Sequence, residues 1–261
     1  MMNPLPLRVM TYNVHGCVGI DGQRSEQRIA EVIASFSPDI VGLQELDLGR
    51  RRSSGADQAG KIAEELGFHQ LFHPAMRMVD EQYGDAILSR WPISSIQAGE
   101  LPSKKAFPFR ENRAALWVEI ATPCGPVQVM NTHFGVGRGE RFEQASALTG
   151  SDWIGAVREQ EPLIVMGDFN SFPGSSAYKI LTRRLRDAAR EHGHPSRSTF
   201  PTVLPCLTLD YLFVNDACTV HGVSLCVGRE ARVASDHFPL LGHIEPHCHT
   251  RETAADPVGA M

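Results

Sequence analysis

Six short segments of the chain carry side chains able to bind a hard cation, move a proton or hold an anion. Asn13 stands in TYNVHG, Glu45 in LQEL, His133 in NTHF, Asp168 and Asn170 in GDFN, Asp210 in LDYLFV, and Asp236 with His237 in SDHFPL. Hydrolysis of a phosphoester needs a cation to neutralise phosphoryl oxygens, a water oriented in line with the leaving oxygen, and a donor for the developing charge. Carboxylates, amides and imidazoles supply these functions. Each position also has a plain structural alternative: Asn13 can end a strand, Asp168 and Asn170 can make a turn through side-chain to backbone bonds, Glu45 can be a surface carboxylate, and Asp236 with His237 an exposed polar pair.

The elements around these residues say how they are carried. LRVMTYNV and DIVGLQEL read as strands, and so do DAILSR, AALWVEI, PVQVMNTHF, PLIVMGDF, TLDYLFV, TVHGVSLCV and FPLLGHI. Ile29, Val32, Ile33 and Phe36 recur at helical spacing after Ser25, a candidate N-cap, and Pro38 stops the run. DQAGKIAEELG is a second helix closed by Gly67, RFEQASALTGSDWIGAV reads as one long amphipathic helix, and SSAYKILTRRL as a short one. Many strands follow one another directly, which excludes a regular βαβ array. Two packed sheets with helices outside fit better, with apolar runs such as PLIVM buried on both faces. Every candidate then sits where a strand ends or begins.

With that context, the chain resembles the endonuclease/exonuclease/phosphatase superfamily, also called DNase I-like. Its signatures are a strand ending in Asn, an LQE, a GDFN and a terminal SDH, present here in family order between residues 11 and 239. The resemblance implies a four-layer α/β sandwich of two mainly antiparallel sheets flanked by helices, spanning residues 1–245, with 246–261 a disordered tail. It also implies a Mg²⁺-dependent phosphoester hydrolase, Mn²⁺ being a substitute, in which Glu45, Asn13 and Asp236 surround the metal. Asp168 would orient or deprotonate the attacking water, Asn170 would hold that water or a phosphate oxygen, and His237, paired with Asp210, would donate to the phosphate. His133 takes the place of a phosphate-contacting residue. Arg113, in ENRAAL, resembles a recurrent arginine that either clamps a phosphate oxygen or forms an ion pair. Asp85, in YGDAILSR, departs from the usual Gly-Asn-Ala. Arg52, Asp57 and Gln58 recur in small bacterial members and carry no assigned role. His15 and His73 belong to no signature and read as satisfied loop histidines.

Composition bounds the partner. At 261 residues with 42% hydrophobic and 21% charged content, the chain has the profile of a globular protein with a sizeable core. A net charge of −5 gives no overall basic field, and tight nonspecific binding to long nucleic acid is not favoured. LQELD and CLTLDYLFV lack the LQETK and tryptophan-arginine signals of abasic-site nucleases, so a small or lipid-derived phosphoester is the expected substrate. A DNA or RNA nuclease is the alternative, and a noncatalytic binding protein on the same fold a third reading. The segment between Arg90 and Asn112 reads as irregular: either a rim touching substrate through Trp91, Phe107 and Phe109, or a loop anchored by those aromatics. Arg183, Arg184 and Arg186 read as a solvated face. Six cysteines without a CxxC pair, no secretory signal and no ~20-residue apolar stretch point to the cytoplasm, without a membrane span or obligate partner. His243, His247, Cys248 and His249 match no closed zinc pattern.

Overall fold

In a computed structural model, which describes residues 6–103, 111–191 and 198–247, alternating apolar side chains build two sheets back to back. The first sheet contains β1 (Leu7–Asn13), β2 (Ile40–Leu48), β3 (His69–Met78), β4 (Glu81–Ser89), β11 (Cys218–Leu225) and β12 (Leu240–Pro246), in the order β11-β12-β1-β2-β4-β3. The second contains β5 (Ile93–Glu100), β6 (Ala114–Thr122), β7 (Gly125–His133), β8 (Leu163–Asp168), β9 (Arg186–Asp187) and β10 (Asp210–Val214), in the order β5-β6-β7-β8-β10-β9. Each sheet is antiparallel except at its middle, where β1 runs parallel to β2 and β7 parallel to β8.

The period of two along each strand divides the core. Leu7 and Val9 of β1 meet Leu116, Val118, Ile164, Met166 and Leu212 of the other sheet in the central layer. Met10 and Tyr12 point the other way, onto α1 (Glu26–Ser35) and α2 (Gln58–Leu66). Val165, Tyr211 and Phe213 face outward from the second sheet, under α3 (Arg138–Leu148) and α4 (Ser176–Leu181). A short α5 (Ala188–Glu191) puts Ala188 against the central layer, and α6 (Arg229–Ala234) joins the α1 side through Ala231 and Ala234. The result is the expected four-layer α/β sandwich.

The helix ends follow local chemistry. Ser25 caps α1 by accepting the Arg28 amide at 3.0 Å, and Gly67 ends α2 at φ +64°. The expected single helix over 141–157 is instead broken: α3 stops at Leu148, and only a 3₁₀ turn follows at Ile154–Ala156. Thr149-Gly150-Ser151-Asp152 explains the break, because glycine and short polar side chains favour turns over a helix interior. Phe142, an apolar residue of α3, is exposed rather than buried.

Three strands escaped the pattern: β3, β5 and the two-residue β9. β3 and β5 are the outer strands of their sheets; β3 carries Pro74 at a register shift, and most of β5 is partly or fully exposed. An edge strand has one paired side and a half-solvated face, so its alternation is weak. The first half of the supposedly irregular 91–112 segment is therefore strand β5, with Trp91 packed against the central layer. Lys104 to Arg110 lie outside the described residues, as do Cys248, His249 and nearly all of the expected tail.

Candidate active site

Strand register brings the chemistry together. The parallel pairing of β1 with β2 sets Asn13 opposite Gln44, and that of β7 with β8 sets His133 opposite Asp168. Antiparallel β10 begins at Asp210, opposite Asp168, while the turn before β12 delivers Asp236 and His237. All the candidate residues thus collect at one end of the sandwich, where the carboxyl ends of four central strands meet.

Backbone irregularities aim them. At Glu45 the β2–β4 register shifts and φ is +66°, so a bulge redirects this carboxylate toward the site. Asn170 also has positive φ, +47°. Gly167, at φ +148°, lets β8 approach β7 so closely that a Cβ there would stand 1.9 Å from the Thr132 carbonyl oxygen. Underneath, Gln44 donates to Asn131 at 2.7 Å, and Asn131 donates to the carbonyls of Leu43 and Ala86 at 2.9 Å, all of them buried. This polar bridge crosses the central layer and ties the two halves of the site to each other.

Asp168 is the hub. Its Oδ2 accepts from Asn13 Nδ2 at 3.1 Å and lies 3.5 Å from His133 Nε2 and 3.7 Å from His237 Nε2; its Oδ1 accepts the Asn170 amide at 2.8 Å. Burial, reinforced by the charge of Asp210, pushes its carboxyl up to about 7 despite His237 and these hydrogen bonds. His237 Nδ1 is 2.8 Å from Asp210 Oδ2, and Phe200 flanks the ring at 4.7 Å. Burial opposes charge on that imidazole, but Asp210, Asp168 and Asp236 together outweigh it and raise the ring to about 10. His133 goes the other way, lowered by burial and by Arg113. Arg113 Nη1 sits 2.9 Å from His133 Nδ1, and a guanidinium can only donate. The proton of neutral His133 is therefore on Nε2, which lies 3.5 Å from Asp168 Oδ2 and 3.1 Å from Asn170 Nδ2.

Glu45 and Asp236 face each other at the mouth. Each carboxylate lies within 3.7 Å of His15 Nδ1, itself on a half-exposed side chain. Burial works against charge on Glu45, yet the hydrogen bonds from His15 and Asn13 and the charge of His15 outweigh it and hold its carboxyl well below the usual range. Asn13 Nδ2 donates to Glu45 at 2.9 Å as well as to Asp168, and its carbonyl oxygen accepts the His15 amide at 3.0 Å. In this orientation Asn13 positions both carboxylates. His15 was read as a bystander; the signal that could have found it is its place two residues beyond Asn13, in a turn where His15, Gly16 and Cys17 all have positive φ. His73, by contrast, lies away on edge strand β3, and burial lowers its ring.

Two donor groups could hold a divalent cation. Asp168, Asp210 and His237 place ligand atoms within 4.8 Å of one another, but the raised imidazole there already supplies the positive charge between two carboxylates. Glu45 and Asp236 offer partly accessible hard oxygens with only His15 between them, which fits the oxygen preference of Mg²⁺.

The residues without an assigned role form the support. Asp57 caps α2 through the Gly60 amide at 2.8 Å, and Gln58 links the Asp47 amide at 2.8 Å to the Gly16 carbonyl at 2.7 Å, tying the His15 turn to β2. Arg52 forms a bidentate pair with Asp47 and lies over the Tyr83 ring at 5.3 Å. Asp85 is buried beneath Glu45, accepting its amide at 3.4 Å, and burial raises its carboxyl to about 7. Arg113 also pairs with Glu111 at 3.2 Å. The open face of the site is a cleft of about 630 Å³ walled by Tyr83, Val136, Arg141, Phe172 and Leu207.

Comparison with known proteins places this architecture. Residues 10–237 match the Endonuclease/Exonuclease/phosphatase family, and the chain belongs to it. Members of this family are phosphoester hydrolases that generally use a divalent metal. The chain is 26% identical to the uncharacterized protein YbhP of Escherichia coli K12 over 249 residues, covering 91% of this chain and 95% of YbhP. It superposes on an endonuclease/exonuclease/phosphatase from Beutenbergia cavernae with a TM-score of 0.75, at 24% identity over 93% of this chain and 72% of the other. A mannosyl-6-phosphatase of Bacteroides thetaiotaomicron gives 0.70, at 21% identity over 92% and 99%. Among the described residues no helix is long and apolar enough to cross a membrane.

Proposed function

We propose that this chain is a Mg²⁺-dependent hydrolase of small or lipid-derived phosphoesters, acting by in-line attack of an activated water. The observation that carries the reading is the convergence on Asp168: one buried carboxyl near neutrality, between a neutral His133 and a charged His237. Glu45 and Asp236 would hold the cation, with Asn13 fixing the Glu45 carboxylate. Bound Mg²⁺ supplies charge neutralisation of the phosphoryl oxygens.

The chain's own groups do the rest. Asp168 in its carboxylate form orients the water and takes its proton as the new oxygen–phosphorus bond forms. Asn170, anchored through Nδ2 to the Phe134 carbonyl at 2.8 Å, helps hold that water or a phosphate oxygen. His133 Nε2–H and the His237 imidazolium donate to phosphoryl oxygens as the bond to the leaving oxygen breaks, and Asp210 keeps His237 charged. Arg113 acts through His133 as a positioning residue. The net charge of −5 argues against a long polyanion as substrate, and the sugar-phosphate activity named for the Bacteroides neighbour supports a small one.

The test is hydrolysis of bis(p-nitrophenyl) phosphate, p-nitrophenyl phosphate, a phospholipid panel, a single-stranded oligonucleotide and an abasic duplex in Mg²⁺. Turnover of the small or lipid esters is expected. Cleavage confined to the abasic duplex or the oligonucleotide makes the protein a nuclease, and no turnover of any substrate overturns the hydrolase reading.

A further inference from the structure

Next to the catalytic cleft lies a separate hollow of about 460 Å³, and the two share a wall made by Arg141 and Phe172. Arg138, Arg141 and Lys179 line the hollow together with Ser175 and Ser176, and among the described residues no carboxylate does. On a chain with net charge −5 this is a local reversal of sign. Arg138 and Lys179 are exposed, and among the described residues none of the three cations forms an ion pair.

Arg138 stands where local stability does not want a cation, whereas Lys179, in the last turn of α4, suits its own helix. Arg138 is the first residue of α3, and a positive charge at that end opposes the helix dipole. The same helix start has Gly137 at its cap and no side-chain hydrogen bond to it. Arg138 and Arg141 are three residues apart and so share one face of α3, and α4, which packs on α3, brings Lys179 to the same hollow.

We propose that this hollow is a second anion subsite, and that the substrate carries a phosphate group in addition to the one being cleaved. The inference rests on the hydrolase reading for its cleft and goes beyond it by naming a substrate class, a doubly phosphorylated small molecule. One phosphate occupies the Asp168–His237 end. The other is held by Arg138, Arg141 and Lys179, with exposed Phe172 against the group joining them. Lysine and arginine at an open pocket bind phosphate through charge-assisted hydrogen bonds at little desolvation cost.

Calorimetric titration in Mg²⁺ buffer tests it with matched probes: adenosine 5′-monophosphate against adenosine 3′,5′-bisphosphate, and fructose 6-phosphate against fructose 1,6-bisphosphate. The wild-type protein is expected to bind at least one bisphosphate tenfold or more tightly than its monophosphate, and the pair showing this margin distinguishes a nucleotide from a sugar source. In the double variant Arg138→Ala/Lys179→Ala most of that margin is lost while monophosphate affinity stays within twofold. Equal margins in the two proteins, or no bisphosphate advantage in either pair, overturn the proposal. Hydrolysis of bis(p-nitrophenyl) phosphate, which has a single anionic group, is expected to be unchanged in the double variant. A wild-type protein inert toward every ester but showing the margin would sink the hydrolase reading and leave the subsite standing.

Discussion

Asp168 and His237 lie 3.7 Å apart, and the proposed mechanism gives them opposite tasks, one to accept a proton and the other to keep one. The Asp168 carboxyl at about 7 and the His237 ring at about 10 leave a window in which both are in the working form. For kcat/KM on bis(p-nitrophenyl) phosphate this predicts a rise as pH passes about 7, where Asp168 loses its proton, and a fall above about 10, where His237 loses its own. Asp210→Asn removes the carboxylate that holds the imidazolium against burial, so the alkaline limb should move to lower pH; an unmoved limb would take Asp210 out of this role. Asp168→Asn should lower turnover by about 10²- to 10⁴-fold, the usual range for a general base, with an unchanged unfolding midpoint showing that the loss is chemical.

Between residues and fold, two devices hold the strand ends in register. Gly167 is one: a side chain would meet the Thr132 backbone, and the left-handed conformation itself costs a non-glycine residue about 1–3 kcal/mol. Gly167→Ala is therefore expected to lower stability in urea by at least that amount and to depress activity with it. The polar bridge through Asn131 is the other. Asn131→Leu removes the side-chain donor to the Leu43 and Ala86 carbonyls and one of the two acceptors of Gln44 Nε2, which keeps Thr11 Oγ1 at 3.1 Å, all in a buried layer. A buried polar group that loses its partner costs about 1–3 kcal/mol, so a shift of the urea midpoint to lower concentration should follow, and a midpoint equal to that of the wild type would show that the bridge is not needed.

For the molecule as a whole, a cation bound only by the folded chain must raise its stability. Mg²⁺ at a hundredfold excess over its Kd contributes about 2.7 kcal/mol. A domain of this size should then show a Tm several degrees higher in Mg²⁺ than in chelator. Glu45→Gln should abolish that difference, and should also lower the Tm in chelator modestly at neutral pH, since His15 and Asn13 hold the carboxylate ionised in the folded state. A Mg²⁺ response retained by Glu45→Gln would move the metal toward the Asp168, Asp210 and His237 group.

Much of this was readable along the chain, because period-two alternation and local capping are properties of neighbouring residues. The sequence alone determined the central strands, the caps at Ser25 and Gly67, the family, and the residues that gather at one end. It did not show β3, β5 and β9, since edge strands lack the two-sided burial that makes a pattern. It also could not show that Arg113 sets the proton on His133, that His15 stands between Glu45 and Asp236, or that α3 and α4 pool their cations beside the cleft. Those facts depend on side chains far apart in the chain meeting at a few ångströms, where burial and neighbouring charge decide which groups hold protons, and only tertiary packing sets those distances.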